Sequence, residues 1–423
     1  MRVRWILVCL LGALALGVAA CGDDDDDDDG GGGADGGGGN VAVYSSLPLQ
    51  GATRQNALDV QSGIELALEQ RDGKGGECTV EYEQLDDSTA QAGQWDPGAT
   101  SANARKVVND DSAVALIGEF NSGASAISIP ITNEAGLLQV SPANTALELT
   151  KDAGPDDKGA PEKYYPSGNR TYGRVVPADH IQGGAQAEWM AEEGVQSLYT
   201  LDDKQVYGVG VAKTTGDAAE LNGIELAGTD SIDPKAANYR SLAAKIRDSG
   251  ADAVFFGGIT ANNAVQLYKD LGAALPDATL WGPDGVAESV FTNDLPVDVA
   301  DRTYITVATI PQADYPPAGQ KFFDDFQAKY DQKVIQPYAI YGFEAMDVVL
   351  DSMERADDCA DKQSVVDAFF ETQGKEGVTG TYDIDEDGDV NLSQFGRYRI
   401  ENGELNKGVT VDVKQDSNGN PLG

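Results

Sequence analysis

From residue 41 onward, short runs rich in β-branched and aromatic residues alternate with stretches whose apolar residues recur at helical spacing, and few architectures accept that alternation. The strand-like runs are residues 41–45, 79–85, 113–118 and 137–141, then a second series at 197–201, 224–228, 253–257, 279–282 and 304–310. Among the helical stretches, residues 57–70 are the clearest. Ala57, Val60, Ile64, Ala67 and Leu68 fall at i, i+3, i+7, i+10 and i+11, on one helical face. Similar stripes occur at Leu242, Ala243 and Ile246, at 267–271, 322–326 and 345–353, and each is read as core packing.

Two successive strand-helix series predict an α/β protein of two Rossmann-like lobes, each with a parallel sheet buried between helices. Ligands of such sheets bind beyond the carboxyl ends of the strands, where a helix N-terminus presents unpaired N–H groups. The functional residues are therefore expected in the loops that follow strands. Residues 151–169, rich in Pro, Gly and charge, read as a surface insertion.

Composition narrows the function. The 423 residues carry 70 Asp and Glu against 30 Lys and Arg, a formal net charge of -40, and a single histidine, His180. So acidic a surface repels phosphate backbones and anionic headgroups, which excludes a general electrostatic grip on nucleic acid. One histidine excludes a His-Glu-x-x-His zinc motif, and the phosphate-loop and Gly-x-Ser-x-Gly signatures are absent from the sequence. No activated nucleophile or metal cluster is legible, so a non-enzyme without cofactor or metal is expected. His180, beside Asp179, reads as a polar residue at a helix start.

The beginning of the chain is an address. Arg2 and Arg4 precede an apolar run, residues 5–18, that ends in Ala19 and Ala20 before Cys21, which reads as a secretory signal over residues 1–20. Val18-Ala19-Ala20-Cys21 is similar to a bacterial lipobox, which implies acylation of the Cys21 thiol. Seven aspartates at 23–29 and the glycines that follow cannot bury apolar surface, so residues 21–40 read as a tether. Export to an oxidising compartment leaves Cys78 and Cys359 as either a disulfide or two free thiols.

Several post-strand segments resemble the type I periplasmic solute-binding proteins, in particular the branched-chain amino-acid receptors of ABC importers. They are Leu47-Pro48-Leu49-Gln50-Gly51, Gly118-Glu119-Phe120-Asn121-Ser122, Val140-Ser141-Pro142-Ala143-Asn144-Thr145, Asp179-x-x-Gln182-Gly183, Asp203-x-x-x-Tyr207-Gly208, Phe256-Gly257-Gly258, Gly282-Pro283-Asp284-Gly285 and Tyr338-x-x-Tyr341. The resemblance implies three hinge crossings, near Val176, Ala308 and Gly380. Lobe 1 would hold residues 41–175 and 311–378, lobe 2 residues 176–310 and 379–423.

The same resemblance implies site residues. Ser122 and Ala143, Asn144 and Thr145 match the positions that hold a ligand carboxylate, and a helix opening at Asn121-Ser122 favours an anion there. Asp284 matches the acid that binds the ligand ammonium, one methylene shorter than the usual glutamate. Tyr207 matches an aromatic residue that closes from the second lobe, and Asp179 is a second ligand contact or a helix cap. Plainer readings exist: Ser122 as a helix cap, Asp284 as turn chemistry, Tyr207 as a packed tyrosine. Asn56 and Ile259 stand where the family carries tyrosines, and Asn56 and Asn121 make the pocket more polar than an aliphatic side chain needs.

Asp383-x-Asp385-x-Asp387-Gly388 is similar to the start of an EF-hand loop, but Gln394 stands where the bidentate glutamate belongs and the flanks read as strands. An acidic hairpin turn is the reading. The expectation is a lipid-anchored extracytoplasmic receptor that captures an amino acid or related small amide or carboxylate for an ABC permease. A sensory receptor and an enzyme on the same frame are the rivals.

Overall fold

The computed structural model describes residues 39–154, 159–406 and 408–422. The signal, Cys21 and the aspartate run at 23–29 lie outside the described residues. No described helix is long and apolar enough to cross a membrane.

The first series builds one sheet. Its strands are β1 (Asn40–Leu47), β2 (Cys78–Asp86), β3 (Ala113–Gly118), β4 (Leu138–Ser141) and β5 (Tyr172–Arg174). They lie side by side in the order β2-β1-β3-β4-β5, all neighbours parallel, with the short strand Lys74–Gly75 antiparallel on the outer edge of β2. Alternation along β1 shows why both faces must be covered. Val41 and Val43 join a core shared with Val60, Ile64, Met346 and Phe369, while Ala42 and Tyr44 join Val107 and Leu116 on the opposite face.

The second sheet repeats the plan with β6 (Ser197–Asp202), β7 (Glu225–Ser231), β8 (Ala253–Gly257), β9 (Thr279–Gly282) and β10 (Thr303–Val307), in the parallel order β7-β6-β8-β9-β10. The sheet is not wholly parallel. β11 (Gln394–Glu401) runs antiparallel to β10, and β12 (Val409–Asp412) and the short Glu404–Leu405 strand pair antiparallel with β11. In each lobe the strand order reverses beside the first strand, between β1 and β3 and between β6 and β8. Those two switch points set where a crevice can open.

Helices α1 (Arg54–Gln70), α2 (Pro97–Val108) and α3 (Ser122–Glu134) follow the first three strands of lobe 1. In lobe 2, α4 (Asp179–Glu192), α5 (Val206–Leu221), α6 (Arg240–Ser249) and α7 (Ala264–Ala274) flank the sheet. The chain then returns to lobe 1 for α8 (Pro317–Tyr330), α9 (Ala339–Arg355) and α10 (Lys362–Phe370), whose Phe322, Phe326, Met346 and Phe369 pack into the lobe 1 core.

The third crossing differs from the expectation. Ile384 bridges Val390 in a hairpin, and the Gly388 carbonyl accepts the Arg174 N–H of β5 at 2.9 Å. The hairpin therefore rests on lobe 1, and the passage to lobe 2 falls after Val390, not near Gly380. The reason is electrostatic: its acids are claimed by lobe 1 cations. Lys151 Nζ lies 2.5, 3.1 and 3.5 Å from carboxylate oxygens of Asp385, Asp387 and Asp389, at the centre that the EF-hand comparison would give to a metal.

The segment read as a surface insertion is only partly that. Ala160, Tyr164 and Tyr165 are buried with Ile129, Leu149 and Tyr172 in a satellite cluster, because three apolar side chains near β5 outweigh the local polarity. Cys78, opening β2, is bridged to Cys359, just beyond α9, with 6.0 Å between their Cα atoms.

Candidate functional site

The carboxyl ends of both sheets face one small cavity. Lobe 1 contributes Thr53 and Asn56 after β1, Phe120, Asn121 and Ser122 after β3, and Ala143 after β4; lobe 2 contributes Tyr207 after β6, Ile259 after β8, and Asp284, Gly285 and Glu288 after β9. Tyr338, at the N-terminus of α9, completes the wall. Its ring meets Phe120 edge-on, with centroids 5.5 Å apart.

Asp284 is the centre of the cavity's polarity. Tyr207 donates its hydroxyl hydrogen to Oδ1 at 2.9 Å, and Tyr338 donates to Oδ2 at 2.5 Å. The Tyr207 oxygen in turn accepts the Gly285 N–H at 3.1 Å. Burial raises the Asp284 pKa, and the two tyrosyl hydroxyls and Gln182 oppose it. Asp179 is also fully buried, its pKa raised well above the usual range by burial first and by the charge of Asp284 second. Burial likewise pushes Glu288 up to about 7. Among the described residues lining the cavity there is no lysine, arginine or histidine.

The lobe 2 wall is held by Asp203. Its carboxylate accepts N–H groups from Gln205 and Ile259 and the Asn262 amide at 3.0, 3.2 and 2.7 Å. Gly208 is needed here because a Cβ would fall 2.1 Å from Asp203 Oδ1. Gly285 is needed because a Cβ would sit 2.5 Å from the Gly258 carbonyl and 2.7 Å from the Tyr207 ring.

In lobe 1, α3 opens at Ser122, with Asn121 as its cap residue, and the first-turn N–H groups of such a helix have no intrahelical acceptor. Ser122 therefore does not cap the helix. Its Oγ accepts the Ala146 N–H at 3.4 Å. The neighbouring loop is held from below by Arg174, which is fully buried. Its guanidinium donates to the carbonyls of Asn144 and Ala146 at 3.1 and 2.9 Å, to Asp389 at 2.7 Å, and to Thr150 Oγ1.

Seven of the residues expected from the sequence, Asn56, Asn121, Ser122, Ala143, Tyr207, Ile259 and Asp284, line the one cavity. Three do not. Asn144 spends its amide on the Phe120 carbonyl at 2.9 Å and on the Tyr172 hydroxyl at 3.0 Å, so it fixes the loop. Thr145 is buried beside Asp179, whose own N–H donates to the Thr145 carbonyl at 2.8 Å. Asp179 neither lines the cavity nor caps α4 through its side chain. Sequence reasoning missed Thr53, Phe120, Gly285, Glu288 and Tyr338 as wall residues. Phe120, Gly285 and Tyr338 lay inside recognised segments, but Thr53 and Glu288 had no signal beyond proximity to Asn56 and Asp284.

Residues 45–402 match the periplasmic binding protein family. The chain belongs to that family. As a periplasmic binding protein it is a solute receptor and not an enzyme. It is 27% identical over 359 residues to the leucine-, isoleucine-, valine-, threonine- and alanine-binding protein of Pseudomonas aeruginosa, which covers 83% of this chain and 87% of that one. Among solved structures it is similar to a leucine-binding protein from Thermotoga maritima, at a TM-score of 0.76 and 20% identity over 88% of this chain and 99% of the other. A solute-binding protein of an ABC transporter from R. palustris, in complex with benzoate, superposes at a TM-score of 0.72 and 19% identity, covering 91% of this chain and 97% of that one. These likenesses establish the periplasmic binding protein fold.

Proposed function

We propose that this periplasmic binding protein captures a small α-amino acid outside the cytoplasm and passes it unchanged to an ABC permease. The observation that carries the reading is Asp284, a buried carboxylate gripped by tyrosyl hydroxyls from opposite lobes in a cavity with no cationic residue among its described walls. An ammonium group is the natural partner for such an acid, and a charge-assisted hydrogen bond there is worth about 1.5–3 kcal/mol. The ligand carboxylate would take the N-terminus of α3 with Ser122 and the Ala143 segment. Both lobes contribute, so the ligand favours the closed state by its extra contacts there.

A lipid on Cys21 would keep the receptor at the membrane, with the aspartate and glycine segment as its leash. Replacement Cys21→Ser is expected to release the protein from the membrane fraction.

Aromatic carboxylic acids fit less well. A benzoate-like anion brings no positive charge to offset Asp284, Asp179 and Glu288. Isothermal calorimetry of the purified receptor with the common amino acids and with benzoate tests the reading: an amino acid should bind and benzoate should not. Uptake of the labelled amino acid by cells lacking this protein tests delivery, and undiminished uptake would sink the transport role.

A further inference from the structure

Once Asp284 takes the ammonium and the α3 end takes the carboxylate, Thr53, Asn56, Phe120, Ile259 and Glu288 are left beside the two tyrosines to face the ligand side chain. An aliphatic side chain would ask for apolar walls. Phe120 and Ile259 supply such surface, but Asn56 and Glu288 do not.

Glu288 is 7% exposed and its Oε2 has no hydrogen-bond partner. Asn56 is 5% exposed and its Oδ1 is likewise unpartnered. Neither atom has a structural use. Glu288 precedes the short helix Ser289–Asp294 but makes no side-chain cap bond to it. The threonine hydroxyls nearest its carboxyl group, Thr53 and Thr260, leave Oε2 unserved. A buried acceptor without a donor costs about 1–3 kcal/mol. Two such acceptors lining one cavity, one from each lobe, call for a ligand that brings N–H groups. Glu288 also borders a larger groove of about 960 Å³, whose lining includes Gln55, Gln332 and Gln336.

Resting on the head-group reading above, we infer that Glu288 and Asn56 are specificity-determining residues that select amino acids whose side chains end in an N–H donor, ammonium or amide, over aliphatic ones. The pair of acceptors replaces what would be an oily pocket. The carboxylate of Glu288 takes a cationic or amide N–H, and Asn56 Oδ1 takes a second.

Calorimetry of the full mature chain with L-lysine, L-glutamine, L-norleucine and L-leucine decides it. Lysine or glutamine should bind at least tenfold more tightly than norleucine, which has nearly the same reach and no terminal donor. Glu288→Gln should erase most of the preference for lysine over norleucine, and circular dichroism should show the variant folded. Norleucine or leucine binding as well as both donor-bearing ligands overturns the inference, as does a lysine-to-norleucine ratio unchanged in Glu288→Gln. Asp284→Asn separates the two levels. If it abolishes binding while Glu288→Gln changes nothing, the head-group site stands and the side-chain assignment falls; if none of the four binds but another amino acid does, the side-chain assignment alone falls, and if no common amino acid binds the unaltered protein, both fall.

Discussion

Tyr338, from the α9 end of lobe 1, donates to Asp284 Oδ2 at 2.5 Å, across the cleft from Tyr207, which serves the other oxygen from lobe 2 at 2.9 Å. One carboxylate thus joins the lobes. Tyr338→Phe keeps the ring against Phe120 and deletes only the donor, so affinity for the ligand is expected to fall roughly tenfold or more, measured by calorimetry. Unchanged affinity would show that the closed state does not need this bond.

Ligand binding should depend on pH through Asp284. Burial raises its pKa, so protonation sets in at a higher pH than for a free carboxyl, and the protonated acid cannot pair with an ammonium. Affinity is therefore full above the raised pKa and declines as pH falls through it. Calorimetry from neutral pH down to about pH 4 should show the decline, and Asp284→Asn should bind weakly at every pH.

Asp87 and Glu119 are a second buried acid pair at the strand ends of lobe 1. Burial pushes Asp87 up to about 7, with the charges of Asp86 and Asp96 adding to it, and pushes Glu119 well above its usual range, with the charge of Asp87 opposing its ionisation. A raised acid contributes stability that is full below its unfolded pKa of about 4 and is lost as pH rises through about 7. Asp87→Asn should therefore be more stable than the unaltered protein at pH 8, by roughly 1–4 kcal/mol, with little gain at low pH. Urea unfolding at both pH values checks the sign.

Breaking the buried Arg174–Asp389 pair should cost more than losing a surface ion pair. Arg174→Met leaves buried Asp389 with only the more distant Lys151 as a counter-charge and removes the clamp on the Asn144 and Ala146 carbonyls, so a loss of about 3 kcal/mol is expected in urea unfolding. Arg174→Lys should recover only part, because an ammonium lacks the fork that reaches several acceptors.

Much of this was legible in the residues. Runs 113–118, 253–257 and 279–282 coincide with β3, β8 and β9, because contiguous apolar β-formers bounded by Gly admit little else. β5 went unseen: Tyr172–Arg174 is three residues long and carries an arginine, and it is a strand only because β4 offers an edge and Asp389 a counter-charge. The same acid explains the misplaced third crossing. The site was readable wherever a loop segment had a recognisable pattern, as at Asn121-Ser122 and Asp284. Glu288 and Thr53 carry no pattern of their own, and Tyr338 reaches the cavity from a helix in the returning segment, so its approach to Asp284 is a product of tertiary packing.

The Cys78–Cys359 bridge spans 281 positions, and every residue of the second sheet's parallel strands lies inside that span. The parallel part of lobe 2 is therefore strung as a bead on a covalent hoop closed within lobe 1, while β11 and β12 lie beyond it. A protease that nicks a loop between β6 and β10 would leave a single molecule of unchanged mass on a gel run without reductant and two fragments with it.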